Sequence, residues 1–288
     1  MLNIKKTSAI PLKHLSNYEL TNSLNRKCLL FYTSVSTLNN KFQVHPIPSN
    51  HAFEGETTKE KKNTMKVVAS WSGGKDSAYA YYLAKQQGHQ VLSLLTMMMS
   101  EEKSNFHMIP SGIIEAQAKA TGIPLIKKTT SAQTYERDFK AVLSHWKAKG
   151  AEGLVTGDIY EVAGHEEGWL GRICKEVGLT PVKPLWMGDT KKIYLDYLKT
   201  GFKATVVRTN RDLSLDWLGR VLDRKFYDDI LKLGNVDPCG EGGEYHTVIT
   251  DGPEFKQRIE LLETEKKRLD NGFGYLEIKK YKVVPKQG

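Results

Sequence analysis

Cysteine is scarce, and what there is lies scattered. Cys28, Cys174 and Cys239 are odd in number, far apart and form no C-x-x-C pair. That spacing excludes a disulfide framework and a zinc ribbon, and a reducing cytoplasm is the expected setting. No apolar run reaches the length of a bilayer span; Val91 to Met99 has the length of a core strand, so no membrane partner is expected. There is no internal repeat. Arginine is nearly missing from residues 1–64, where Arg26 stands alone, and this argues against an Arg-rich transit peptide. A strong charge bias is missing too. The net charge of +9 divides into nine Lys/Arg against four Glu in residues 1–64 and 33 against 29 Asp/Glu in the rest. The remainder is only mildly basic, so a nucleic-acid partner is not expected.

The chain does hold 288 residues, 40% hydrophobic and 26% charged, a globular composition with room for one large or two small domains. Residues 1–64 are rich in Asn, Ser, Thr and Lys, carry the loop signal Pro46-Ile47-Pro48-Ser49-Asn50, and show no sustained period. They read as a disordered extension, or as an upstream start with Met65 as the working start.

The sharpest pattern follows at once. Lys66 to Trp71 is a short apolar run with paired valines, as expected of a strand buried on both faces. Ser72-Gly73-Gly74-Lys75-Asp76-Ser77 then turns the chain, and Asp76, Tyr79, Ala80 and Leu83 recur at helical spacing. A strand, a glycine turn and a helix make a phosphate cradle. The first helical N–H groups lack intrahelical partners and carry partial positive charge, and glycines let a phosphate reach the backbone. A Walker A loop is excluded, because that loop needs four residues between its first glycine and its Gly-Lys pair, and here the glycines are adjacent.

Strand and helix alternate from here. Strands are expected at His89–Met99, Pro124–Lys128 and Gly153–Thr156, with helices at Ser111–Thr121, Tyr135–Lys149 and Glu166–Val177. This predicts an α/β fold: a Rossmann-like parallel sheet with helices on both faces and right-handed crossovers. Ligands bind beyond the carboxyl ends of such strands, which brings Ser72–Ser77, Thr96–Met99 and Gly157–Asp158 to one crevice. After Pro181 the alternation weakens. Helices are expected around Lys192–Lys199, over Asp216–Leu233 and over Phe255–Leu269, with strands at Lys203–Arg208, Tyr245–Ile249 and Tyr275–Val284. The expected division is 1–64 as extension, 65–184 as the nucleotide domain, and 185–288 as a smaller α+β substrate domain that lids the crevice.

A second unusual stretch is Glu241-Gly242-Gly243-Glu244-Tyr245-His246-Thr247, preceded by Gly240. Three glycines in four residues are costly to order, and two carboxylates, a phenol and an imidazole crowd beside them. A substrate loop that holds an acceptor, an amine or Mg²⁺ is one reading; a tight solvent-facing turn before a strand is the other. Zinc on Glu241, Glu244 and His246 is a poor fit, for want of cysteine and of stiff ligand geometry.

Ser-Gly-Gly-Lys-Asp-Ser resembles the PP-loop of the ATP pyrophosphatase superfamily (PP-loop/HUP-type fold). Together with Gly-Glu-Gly-Gly-Glu-Tyr at 240–245, Pro184-Leu185-Trp186 and Trp217-Leu218-Gly219-Arg220, it resembles the diphthine–ammonia ligase family and its relatives of unassigned substrate. The resemblance spans residues 65 to about 262. It implies ATP and Mg²⁺ as cofactors, ammonium as the nitrogen source, and a protein acceptor, diphthine on translation elongation factor 2. The carboxylate would be adenylated with release of pyrophosphate and then amidated. By position, Ser72, Gly73, Gly74, Lys75, Asp76 and Ser77 would bind ATP, while Glu241, Gly242, Gly243, Glu244, Tyr245 and His246 would face the acceptor. Asp76, Lys75 and Glu244 are the candidate catalytic residues, and Asp76 and Asp158 the candidate metal ligands. A turn cap is an equal alternative for Asp158. A thiolating relative would need a reactive cysteine. Only Cys239 adjoins a motif, and Cys174 falls on an amphipathic helix. A nucleotide sensor without catalysis is the reading from a different class.

Overall fold

Neighbouring residues of the first strand point to opposite sides of a sheet, and in this chain both sides are covered. In the computed structural model, which describes residues 64–104, 107–160 and 168–286, Val67 and Ala69 enter one hydrophobic cluster and Val68 another, each fully buried. The strand is β1 (Lys66–Ser70). It is followed by α1 (Lys75–Gln86), β2 (Gln90–Met98), α2 (Ser111–Thr121), β3 (Leu125–Thr129), α3 (Tyr135–Ala148), β4 (Gly153–Val155), α4 (Gly168–Val177) and β5 (Thr180–Val182). The five strands form a parallel sheet in the order β3-β2-β1-β4-β5. Ala78, Ala80, Ile113 and Ile114 place α1 and α2 on the Val67 side; Phe139, Leu143, Ile173 and Cys174 place α3 and α4 on the Val68 side. This is the Rossmann-like arrangement expected from the alternation. Among the described residues no helix is long and apolar enough to cross a membrane.

The later elements are α5 (Thr190–Lys199), β6 (Lys203–Thr209), a 3₁₀ turn (Leu215–Trp217), α6 (Arg224–Leu231), β7 (Tyr245–Asp251), β8 (Gln257–Arg268) and β9 (Gly274–Pro285). Their strands make a separate antiparallel sheet, β7-β6-β9-β8. Val206, Val248, Ile249 and Leu276 join the same hydrophobic cluster as α1 and α2, so those helices are covered by a sheet on each side.

Two local expectations are corrected, and one further strand appears. The polar helix expected at Phe255–Leu269 is strand β8. Its residues are good helix formers, but Ile259 and Leu261 fall on alternate positions opposite Val283 and Tyr281, and Glu260–Lys282 (2.9 Å), Glu265–Lys279 (2.7 Å) and Lys267–Glu277 (2.7 Å) pair across the hairpin. Cross-strand partners decide sheet structure more than local propensity does. The helix expected over Asp216–Leu233 is broken. Gly219 N–H donates to Val206 O (2.9 Å) and Leu222 N–H to Ala204 O (2.9 Å), tying the middle of the segment to β6, and Asp223 caps a fresh helix at Phe226 N (2.7 Å). Strand β5 was not expected; it lies at the sheet edge, where Pro181 is tolerated. The expectations for 1–63, and for the start of the Glu166 helix, lie outside the described residues.

Candidate active site

In a sheet of order 3-2-1-4-5 the connections leave β1 and β4 in opposite directions, and a crevice opens between them. Ala69 and Val155 are neighbours in register, so Ser72–Ser77 and Gly157–Asp158 leave the sheet side by side. The approach is very close. A Cβ at Gly157 would lie 2.6 Å from Asp76 O and 2.7 Å from Ser77 N. Gly73 has φ +82°, a left-handed conformation that favours glycine. Gly74 also has a packing reason. A Cβ there would meet His107 Cε1 at 2.6 Å and the Thr247 carbonyl at 3.1 Å, so the missing side chain makes room for protein.

Gly74 caps α1 without a side-chain bond. Its N–H donates to Ser72 Oγ (3.3 Å), and Ser77 Oγ lies 3.0 Å from both Gly74 O and Ser72 Oγ. The next donor, Lys75 N–H, is already taken by Thr247 Oγ1 (3.0 Å) from β7. The N–H groups of Asp76 and Ser77 follow at this end of the helix.

Lys75 is buried. Its ammonium donates to Asp76 Oδ2 (2.7 Å) and to the Cys239 carbonyl, and lies 5.3 Å from the centre of the Tyr245 ring. Burial opposes its charge, but Asp76 and, further off, Glu241 outweigh that and hold its pKa above the ordinary value. The lysine therefore reaches under the second motif and stays charged.

Asp237 organises that motif. Its Oδ1 accepts from Cys239 N (2.7 Å), its Oδ2 accepts from Thr190 Oγ1 (2.7 Å), and its own N–H donates to Glu244 Oε1 (3.1 Å). Glu244 Oε2 is buried with no hydrogen-bond partner among the described residues. Gly242 makes room for this carboxylate, since a Cβ there would lie 2.6 Å from Glu244 Oε1. Glu241 is exposed to solvent, yet partial desolvation and the negative charges of Asp76, Asp237 and Asp158 push its carboxyl pKa up, against a lowering pull from Lys75.

Tyr245 points into the core, packs edge-to-face on Phe226 (5.2 Å), and donates its hydroxyl to the Pro238 carbonyl. It is a wall of the loop and does not face the crevice, contrary to the expectation that it would meet an acceptor. His246 lies against His107, ring centres 4.8 Å apart. Burial pushes His107 down to about 4 and His246 well below its ordinary value; Lys75 and Arg208 add to both effects, and the Thr247 backbone partly offsets the shift of His107. Both rings are neutral at neutral pH. Cys239 is buried, donates to Thr190 O (3.3 Å), and has its thiol pKa pushed up by burial, as does Cys174 in the α4 core, to about 11. Neither is a ready thiolate.

Among the described residues no three His, Cys, Asp or Glu side chains gather as a metal cage. Magnesium held with nucleotide phosphates would need only one or two protein carboxylates, and the charges of Asp76 and Asp158 both act on Glu241, so the two lie in one acidic region. Two open surface depressions, one at the ends of β2 and β3 and one between α2 and the β8–β9 hairpin, contain no residue of either motif.

Several residues that build the site carried no expectation: His107, Gln117, Asp237 and the Thr247 hydroxyl. Asp237 before Pro238-Cys239-Gly240 has the composition of an Asx turn. Gln117 is a lone amide among Ile113, Ile114, Ala118 and Ala120. His107 offered no sequence signal.

Residues 65–181 match the family description "Diphthamide synthase N-terminal domain", and residues 189–284 match "Diphthamide synthase C-terminal domain". The chain belongs to the diphthine–ammonia ligase family. The first match contains Ser72–Ser77 and Gly157–Asp158, and the second contains Glu241–Thr247. Among similar proteins named diphthine–ammonia ligase, that of Schizosaccharomyces pombe is 27% identical over 244 residues, which is 75% of this chain and 39% of that protein. The mouse protein is 26% identical over 228 residues, 70% of this chain and 84% of its own length. The human protein is 27% identical over 222 residues, 68% and 82% of the two chains.

Proposed function

We propose that this chain is an ATP-dependent carbon–nitrogen ligase that converts diphthine on translation elongation factor 2 to its amide in the cytoplasm, using ATP, Mg²⁺ and ammonium. The observation that carries this reading is the joining of the two motifs through one residue: Lys75 opens the phosphate-loop helix, yet its ammonium is bonded to the Cys239 carbonyl and its N–H to Thr247. We also propose 65–184 as the nucleotide unit, 185–288 as the acceptor unit, and no nucleic-acid partner.

A carboxylate does not react with ammonia directly, because oxide is a poor leaving group. Attack of the diphthine carboxylate oxygen on the α-phosphate breaks the α–β bond, forms an acyl adenylate and releases pyrophosphate. Ser72, Gly73, Gly74, Ser77 and the α1 N-terminus cradle the phosphates, and Lys75 contributes fixed positive charge to the leaving group. Asp76 and Asp158 would hold Mg²⁺, which supplies charge neutralisation on the phosphates. Ammonium gives a proton to Glu244, whose Oε2 has no other partner among the described residues, while Asp237 N–H fixes Oε1. The ammonia attacks the acyl carbonyl, the bond to AMP breaks, and the departing AMP phosphate takes the remaining extra proton from nitrogen, which leaves the amide. Glu241, Gly242, Gly243 and His246 line the acceptor side.

The test is to supply ATP, Mg²⁺, ammonium and diphthine-bearing elongation factor, following nucleotides by chromatography and the acceptor by mass. AMP, pyrophosphate and an amidated acceptor are expected, with glutamine unable to replace ammonium. ADP as product overturns the phosphate-loop chemistry. AMP formation that requires a different acceptor keeps that chemistry and discards diphthine.

A further inference from the structure

The buried amide of Gln117, on the inner face of α2, is used by nothing in the mechanism above. It is fully inaccessible to solvent, and a primary amide buried there is costly unless its hydrogen bonds are made. Three are made. Oε1 accepts from the Trp71 indole N–H (2.9 Å), and Nε2 donates to the carbonyls of Gly73 (3.0 Å) and Ile249 (2.8 Å). The orientation of the amide follows from its partners, since only a donor faces Oε1 and only acceptors face Nε2. Gly73 O also accepts from Ile249 N–H (2.9 Å), so this carbonyl has two donors and is held inward.

A trans peptide points its C=O and the following N–H in opposite directions. With Gly73 O turned inward, Gly74 N–H turns outward, toward Ser72 Oγ. We infer that Gln117 is a positioning residue for the ATP reaction: by holding the Gly73 carbonyl against β7, it presents Gly74 N–H to the nucleotide phosphates. Nothing else in the loop replaces it. Ile249 N–H alone leaves the peptide one tether. The inference rests on reading Ser72–Ser77 as the ATP loop.

The test uses the full chain with Gln117→Glu and Gln117→Met, measuring melting temperature, the dissociation constant for ATP by calorimetry, and KM against kcat for AMP formation. Gln117→Met keeps the volume and loses every bond; ATP affinity should fall about tenfold, the scale of one lost hydrogen bond to a charged ligand, without dependence on pH. Gln117→Glu sets a carboxylate oxygen against two carbonyls, so the loss should be at least as large at pH 8 and partly recovered at pH 6, where the buried carboxyl takes up a proton and donates again. KM for ATP should rise more than kcat falls. A residue that matters only for packing would lower the melting temperature in both variants without this pH-dependent affinity. Wild-type chain that binds ATP alongside folded variants that bind it within twofold overturns the inference and leaves the function standing. Wild-type chain that fails to bind ATP overturns both. If neither variant folds, wild-type chain with ¹⁵N-labelled tryptophan decides: the Trp71 indole N–H resonance should move on saturation with a non-hydrolysable ATP analogue, and an unmoved resonance overturns the inference.

Discussion

Replacing Gly157 with alanine adds one methyl group at the point where the two halves of the crevice meet. Gly157 has no positive φ, so alanine is free to adopt its backbone conformation and only space is at issue. The added Cβ would sit 2.5 Å from the Asp76 carbonyl carbon, 2.6 Å from its oxygen and 2.7 Å from Ser77 N. These are backbone atoms at the start of a helix, with no flexible tip to bend away. Ordinary contact for a Cβ begins near 3.4 Å, so either the post-β4 loop or the α1 N-terminus must retreat by 0.7–0.9 Å. Overpacking of this kind costs about 1–3 kcal/mol of stability. The functional effect should be larger than the stability effect, because the displaced atoms include Ser77 N, one of the proposed phosphate donors, and a misplacement of about 1 Å can cost on the order of 10²-fold in rate. The assay is ATP-dependent AMP formation beside thermal unfolding followed by circular dichroism. Gly157→Ala should melt a few degrees lower and lose about 10²-fold in turnover. Near-normal turnover in a stable Gly157→Ala protein would refute the claim that the post-β4 loop and the α1 N-terminus build one site.

Glu244→Gln keeps the Asp237 N–H contact through its carbonyl oxygen but no longer takes a proton, so ATP binding should be unchanged while amide formation falls about 10²–10⁴-fold; equal amide formation rejects the general-base role. Tyr245→Phe removes the hydroxyl bonded to Pro238 and should lower stability by about 1 kcal/mol with turnover retained, whereas abolished turnover in a folded protein would show that the phenol acts on the acceptor. His107 is held neutral in the fold, its pKa moved from 6.5 down to about 4, chiefly by burial. Between those values the unfolded chain binds the extra proton, so its contribution to stability is present above pH 6.5 and is lost as pH falls toward 4. Melting temperature against pH should show that slope in the wild-type chain and a shallower one in His107→Gln; identical slopes would refute the assignment.

The alternation of apolar strands and amphipathic helices from Met65 to Val177 was enough, without any tertiary information, to specify the parallel sheet, because each element buries a face that its own period declares. The phosphate loop was legible for the same reason: a strand, paired glycines and a helix are local features, and α2 begins and ends at the residues the pattern indicated. Glu241–Thr247 stood out by composition alone. Tertiary structure decided what those local signals leave open. Gln257–Arg268 prefers a helix in isolation and becomes a strand because β9 lies opposite, a partner its own residues cannot name. Lys75 opens the phosphate-loop helix, and only the fold brings its ammonium to Cys239 O, 164 positions away. Gly74 was expected to clear space for ATP, and in the fold it also clears space for His107 and Thr247. Gln117 is one polar residue on an apolar helix face in the sequence, and becomes the clamp between Trp71, Gly73 and Ile249 only when β1, α2 and β7 are brought together. Contacts between residues far apart in the chain depend on how packed elements meet, and no local period carries that information.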